Sequence, residues 1–184
     1  EHRRIAGLCR ELADPDTTGT RRAELVEVVV ATLTRHLSAE EQYLHPTVRA
    51  GVPAGEQLAE RELAADRELL RVLRELSDTG PDDPAFAGAA RELLDRLRRH
   101  ARAAEVEIFP PLREVADDAE LIRLGNRLLV AEEAAPTRPH LGTPVTPPWN
   151  RVVDPAVGVV DKVRDAVTGR PTYAEDLESG PGEG

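Results

Sequence analysis

Three histidines and four carboxylates of this 184-residue chain fall on lines that the neighbouring apolar residues mark as buried: His2, His36, His100, Glu40, Glu62, Asp66 and Glu105. Each line follows the three-to-four-residue spacing of one helix face. The first runs His2, Ile5, Leu8/Cys9, Leu12, and the second Leu25, Val29, Leu33, His36, Glu40, Tyr43/Leu44. The third runs Leu58, Glu62, Asp66, Leu69, Leu73, Leu76, and the fourth Leu93, Leu97, His100/Ala101, Ala104/Glu105, Ile108, Leu112. Burying an unpaired carboxylate costs several kcal/mol, so inward carboxylates pair or bind metal. Few Lys or Arg residues share these lines. A lone inward histidine is ordinarily a hydrogen-bonded core residue, but donors converging from four helices favour a metal centre over a private ion-pair network. Imidazole and carboxylate ligands without a thiolate cluster suit iron or manganese better than structural zinc. A bundle core lined in this way is a usual setting for a two-metal carboxylate site.

Four helical segments must position these groups. Clusters of Gly, Pro and Asp break the chain at 13–19, 50–55 and 77–84, leaving segments at about 1–13, 20–49, 56–77 and 84–115. All are rich in Leu, Ala, Glu and Arg, which favour helix, and no period-two strand pattern competes. Short connections give an all-α, up-down antiparallel four-helix bundle, followed by a shorter fifth helix at about 116–134. Residues 1–134 thus form the bundle with its short helix, and residues 135–184 a Pro-rich extension. Eight of the 15 prolines lie between Pro136 and Pro181, and the stretch from Pro136 to Pro148 reads as an extended strap. A short amphipathic piece from Val157 to Val167 carries Val159, Val160, Val163 and Val167 at helical spacing. It is expected to pack on the parent domain, with partner docking as the alternative. The tail from Glu175 to Gly184 is acidic and Gly-rich and reads as disordered.

Composition narrows the partners. With 24 basic and 34 acidic residues the net charge is −10, so the chain lacks the basic footprint that holds phosphate backbones or anionic membranes. The apolar runs are too short to span a bilayer. Cys9 is the one cysteine and cannot form an internal disulfide. It is read as a small core residue, and a cytoplasmic location is expected. No Gly-rich phosphate loop, CxxC pair or GxSxG elbow is present.

Two segments resemble those of a known family. Arg35, His36, Glu40, Glu41, Tyr43 and Pro46 resemble the HxxxE(E)…P segment of hemerythrin-like (HHE cation-binding) domains. Arg99, His100, Glu105, Phe109 and Pro110 resemble a second copy, with the proline again ten residues after the histidine and the two histidines 64 apart. Glu1 and His2 are similar to the family's opening (D/E)H. The resemblance covers about residues 1–115, and the extension resembles those on some actinobacterial members. It implies a four-helix bundle holding two non-haem iron ions, oxo- or carboxylate-bridged, with manganese as an alternative. It further implies a protein that binds, senses or reacts with dioxygen or peroxide, as in oxygen binding or oxidative stress. Carried over, His2, His36 and His100 would be terminal ligands and Glu40 a carboxylate ligand and bridge.

Two positions depart from the family pattern. Asp66 stands where the third helix normally presents histidine, and with Glu62 at i, i+4 it offers a carboxylate pair instead. Ala104 stands at the usual Glu position. Glu105 would substitute, although on an ideal helix i+5 lies about 140° from His100, so it must reach sideways. Such a carboxylate-rich set resembles oxygen-activating di-iron proteins more than reversible oxygen carriers. Tyr43, a turn from Glu40, is read as a core aromatic, with ligation as the alternative. His45 is expected at the surface at a helix end, and His140 in the strap. Two other readings stay open: a metal-free bundle acting as a binding or scaffold module through the strap, whose protein partner is unassigned, and a di-iron oxidase or oxygenase with an organic substrate.

Overall fold

The computed structural model, which describes residues 1–138 and 149–178, is all-helical, with no strand among those residues. Helix α1 spans His2–Leu12, α2 Gly19–Ala39, α3 His45–Gly51, α4 Gly55–Asp78, α5 Phe86–Ala103, α6 Phe109–Val115, α7 Asp118–Ala134 and α8 Trp149–Thr168. Two π-helical segments, Glu40–Leu44 and Ala104–Ile108, join α2 to α3 and α5 to α6. A 3-10 turn at Ala174–Leu177 follows α8.

Helices α1, α2, α4 and α5 form the bundle. α1 packs beside α2 and α5, and α4 packs beside the same two. Their apolar faces meet in one core that includes Ile5, Leu33, Leu73, Phe86 and Leu97. Each fully buried Leu or Phe there contributes about 1.5–3 kcal/mol relative to exposure. A second apolar cluster, Leu44, Val48, Val52, Ile108 and Leu112, closes the α3 and α6 end. Along α2, α4 and α5 the ionisable residues occupy the level between these two clusters. α2 is buried on nearly every face from Val28 to Leu37, because α7 and the 3-10 turn cover the side that the bundle leaves open.

The two π segments are an internal repeat, each beginning four residues after a histidine and ending one residue before a helix that carries an early proline. Pro46 and Pro110 have no amide hydrogen, so the carbonyls four residues back lose their α-helical donor and the chain takes a wider turn. The expected segments 20–49 and 84–115 are therefore each two helices with a π turn between them.

Helix α7 starts from a capping box: the Asp117 carboxylate accepts from the Glu120 amide at 2.7 Å, and the Glu120 carboxylate accepts from the Asp117 amide at 3.0 Å. It runs along α2, and α8 packs against it. The short piece expected at 157–167 extends over all of α8, and its docked face is the acidic one. Asp161 accepts from the Thr137 and Arg138 amides, while Asp165 pairs with Arg138 and Arg170, and Arg170 reaches Glu27 on α2. Val159, Val160, Val163 and Val167 face outward. Part of the tail expected to be disordered is the 3-10 turn, whose Leu177 packs against the main core. Most of the strap, His140 and residues 179–184 lie outside the described residues. No helix among the described residues is long and apolar enough to cross a membrane.

Candidate metal centre

Four donors meet at the level between the two apolar clusters. His2 from α1, His36 from α2, Glu40 at the start of the first π segment and His100 from α5 each present a ligand atom, all within 4.8 Å of one another. His2 Nε2 lies 3.2 Å from His100 Nε2 and 3.6 Å from Glu40 Oε1. His36 Nε2 lies 3.4 Å from Glu40 Oε1, and His100 Nε2 lies 3.2 Å from Glu40 Oε2. Despite these approaches, the buried atoms His36 Nε2 and Glu40 Oε2 form no aligned hydrogen bond. Buried polar atoms are ordinarily satisfied, so orphans converging on one point suit a shared cation.

A second group of three adjoins the first through Glu40, joining it to His45 and Asp66. His45 Nε2 is 2.8 Å from Asp66 Oδ2, and the other Asp66 oxygen is 3.1 Å from His100 Nδ1. On the far side, His36 Nδ1 is 3.2 Å from Glu132 Oε1 on α7.

Mutual charge sets the protonation of this cluster. Burial pushes the Glu40 carboxyl up, but His36 and His100 beside it bring it well below the usual carboxylate range. Burial likewise raises Asp66, and the histidines His100 and His45 outweigh that and lower it. Burial disfavours the charged imidazole at His100, yet Glu40 and Asp66 hold it well above the usual value. His36 and His45 are raised in the same way against their burial, by Glu40 with Glu132 and by Asp66 respectively.

The structure brings together His2, His36, Glu40, Asp66 and His100 of the residues singled out from the sequence. Glu62 and Glu105 belong to neither donor group. Glu62 is buried, but Arg61 folds back to donate to it from Nε at 3.1 Å and Nη2 at 3.0 Å. Glu105 is exposed and lines the cavity that opens against His2, His36 and Glu40, while Ala104 takes the buried i+4 position. Tyr43 is half-buried and belongs to neither donor group.

His45 corrects the sequence reading: it is 1% exposed rather than on the surface. Nine residues at about 100° each would set it about 180° from His36 on an ideal helix. The π turn inserts one residue, which removes about 100° of that rotation and brings His45 toward the same face. Glu132 was not singled out at all; its one signal is its place beside Ala131, on the line of Leu124 and Leu128.

A cavity of about 640 Å³ opens against His2, His36 and Glu40, walled on its other side by Leu44, Phe109, Ile122 and Leu128. Small molecules from solvent thus have a route to the donors.

A helical bundle whose core converges three imidazoles and a carboxylate defines a metal-ligating class. The hemerythrin HHE cation binding domain matches residues 1–112, and the chain belongs to that family. Among solved structures it is similar to a hemerythrin HHE cation binding domain-containing protein of Mycobacterium kansasii. The two are 25% identical with a TM-score of 0.62, covering 72% of this chain and 80% of that one. It is 23% identical to an uncharacterized hemerythrin-like protein of Schizosaccharomyces pombe over 134 residues, 72% of this chain and 66% of that protein. It is 33% identical to a DNA nickase of Nostoc over 82 residues, 44% of this chain and 22% of the nickase. The chain therefore spans less than two thirds of the length of either curated relative.

Proposed function

We propose that the chain is a non-haem di-iron protein that binds, senses or reacts with dioxygen or peroxide. The observation that carries this reading is that Glu40 belongs to both donor groups, which suits a carboxylate shared by two ions. One ion would be held by His2, His36, His100 and Glu40, and the second by Glu40, His45 and Asp66. The donors are nitrogen and carboxylate oxygen, a set that suits iron and also manganese. Bound iron would supply electron exchange with small oxygen species. The chain's own residues do the rest. Glu40 stays ionised because His36 and His100 lower its pKa against burial, so a carboxylate that could be shared by two ions is present across the neutral range. Leu44, Phe109 and Leu128 give the approach an apolar wall, opposite polar groups that include Glu1, Glu105 and Asn126. The buried Cys9 suits a reducing compartment, and the cytoplasm is the proposed location.

A second reading, oxidation of an organic substrate, is favoured by the cavity itself, since about 640 Å³ falls within the range of small-molecule sites. The metal-free scaffold reading fits poorly with orphaned polar atoms at His36 and Glu40, which a chain released from metal binding has no reason to keep buried. The test is anaerobic loading with ferrous iron, then addition of dioxygen or hydrogen peroxide. The expected result is new near-ultraviolet absorption and consumption of the oxidant. Bound iron with an unchanged spectrum and no oxidant consumed contradicts the oxygen-reactive part of the proposal.

A further inference from the structure

We infer that Glu132, on a helix beyond the segment that matches the family, is a positioning residue of the metal centre, held in place by the C-terminal extension. The inference rests on the proposal that His36 ligates metal. Glu132 Oε1 lies 3.2 Å from His36 Nδ1. A carboxylate can only accept, so Nδ1 carries the hydrogen and Nε2 is left to present its lone pair toward Glu40 and His2. A carboxylate on the outer nitrogen of a ligating histidine fixes ring orientation and makes the ligand more basic. α7 supplies it, and α7 begins at Asp118 whereas the family match ends at residue 112.

The end of α7 is fastened by α8 and the turn beyond it. The Lys162 ammonium donates to the Glu133 carbonyl, and Tyr173 Oη donates to the Glu133 carboxylate at 3.2 Å. Gly158 sits so close to the Ala134 carbonyl that a Cβ there would lie 2.2 Å from its oxygen. The same extension grips the residue before His36: Arg35 donates to the Thr172 carbonyl at 2.8 Å, and its guanidinium lies 4.2 Å from the centre of the Tyr173 ring. His36 is therefore held through its ring by Glu132 and through its neighbour by Thr172 and Tyr173.

The experiment uses the full chain and its Glu132→Ala and Glu132→Gln variants, loaded anaerobically with ferrous iron. Iron affinity and release are read by competition with a chelator, and melting of the metal-free proteins is recorded in parallel. Glu132→Ala should weaken iron binding by about 10–100-fold, while Glu132→Gln, whose amide oxygen still accepts, should recover most of it. Metal-free melting should fall modestly in Glu132→Ala, which loses its bond to His36, and by far less than the loss of iron affinity would require, with Glu132→Gln close to wild type. Equal iron affinity in wild type and Glu132→Ala overturns the inference while leaving the metal centre standing. A fall in metal-free melting that tracks the loss of affinity, without recovery in Glu132→Gln, overturns it in favour of a merely structural role. A wild type that takes no iron overturns the metal reading, and the inference falls with it.

Discussion

His100 Nε2 lies 3.2 Å from Glu40 Oε2, so a single carboxylate ties α5 to the end of α2 at the heart of the bundle. With His36 Nε2 at 3.4 Å from the other oxygen, Glu40 is held between two imidazoles that keep it ionised without a Lys or Arg. Replacing both histidines, His36→Ala with His100→Ala, should abolish bound iron. Glu40 would then protonate rather than remain an unpaired buried charge, so the cost to folding should be roughly 1–3 kcal/mol. Iron content and far-ultraviolet circular dichroism check this; unchanged iron content would remove His36 and His100 from the ligand set.

Protons and metal compete for the same nitrogens. His36, His45 and His100 are all raised above the usual imidazole value of about 6.5 in the metal-free protein, so each holds a proton more readily than a free imidazole. Metal takes the neutral ring, so binding must release protons and strengthen as pH rises above about 6.5. The metal-free protein should do the reverse. Stability drawn from these raised histidines is complete below about 6.5 and is lost as pH climbs through their folded values. That drawn from the lowered Glu40 and Asp66 is present above about 4.5 and lost as pH falls below it. Calorimetric titration in buffers of different ionisation heat, with melting followed against pH, reads both trends. Metal binding without proton release would contradict this.

Cys9 packs in the core at 1% exposure, and burial pushes its thiol up to about 12. In the folded protein it should therefore resist thiol reagents at pH 8, and it should react at once on unfolding in denaturant. Rapid labelling of the native chain would show that α1 leaves the core readily.

Gly158 is the point where α8 touches the end of α7, and an added Cβ would lie 2.2 Å from the Ala134 oxygen and 3.0 Å from the Ala135 backbone. Both are backbone atoms that cannot swing aside. Gly158→Ala should displace α8 and expose the end of α7 while leaving the four-helix core intact. Hydrogen exchange should rise in 157–168 and in the last turn of α7, with slow exchange retained around Leu73 and Leu97. Unchanged protection of α8 would mean that its acidic face alone fixes its position.

The bundle was legible because inward residues recur at three and four along α1, α2, α4 and α5, and burial follows that line from Ile5 to Leu97. His2, His36 and His100 were legible for the same reason. His45 was not, because a π turn of one extra residue rotates everything after it, and the periodicity of an ideal helix contains no sign of that rotation. The sign lies in Pro46, whose missing amide hydrogen disrupts the α ladder four residues back. Glu105, the second residue of its π segment, is exposed and joins neither donor group, but it lines the cavity that opens on them. Glu62 is inward as read, yet its adjacent Arg61 is long enough to bend back onto it. Glu132 belongs to a contact between residues 96 apart in sequence, which local spacing cannot report. α8 is amphipathic as read, but its docked face is chosen by buried ion pairs of Asp165 with Arg138 and Arg170, not by Val159, Val160, Val163 and Val167, which stay exposed.

The most direct test of the central claim is metal content per chain. Protein equilibrated anaerobically with ferrous iron, then freed of loosely held metal, should retain about two irons per chain, one for each donor group that shares Glu40. A folded protein that retains no iron and no manganese would contradict the account.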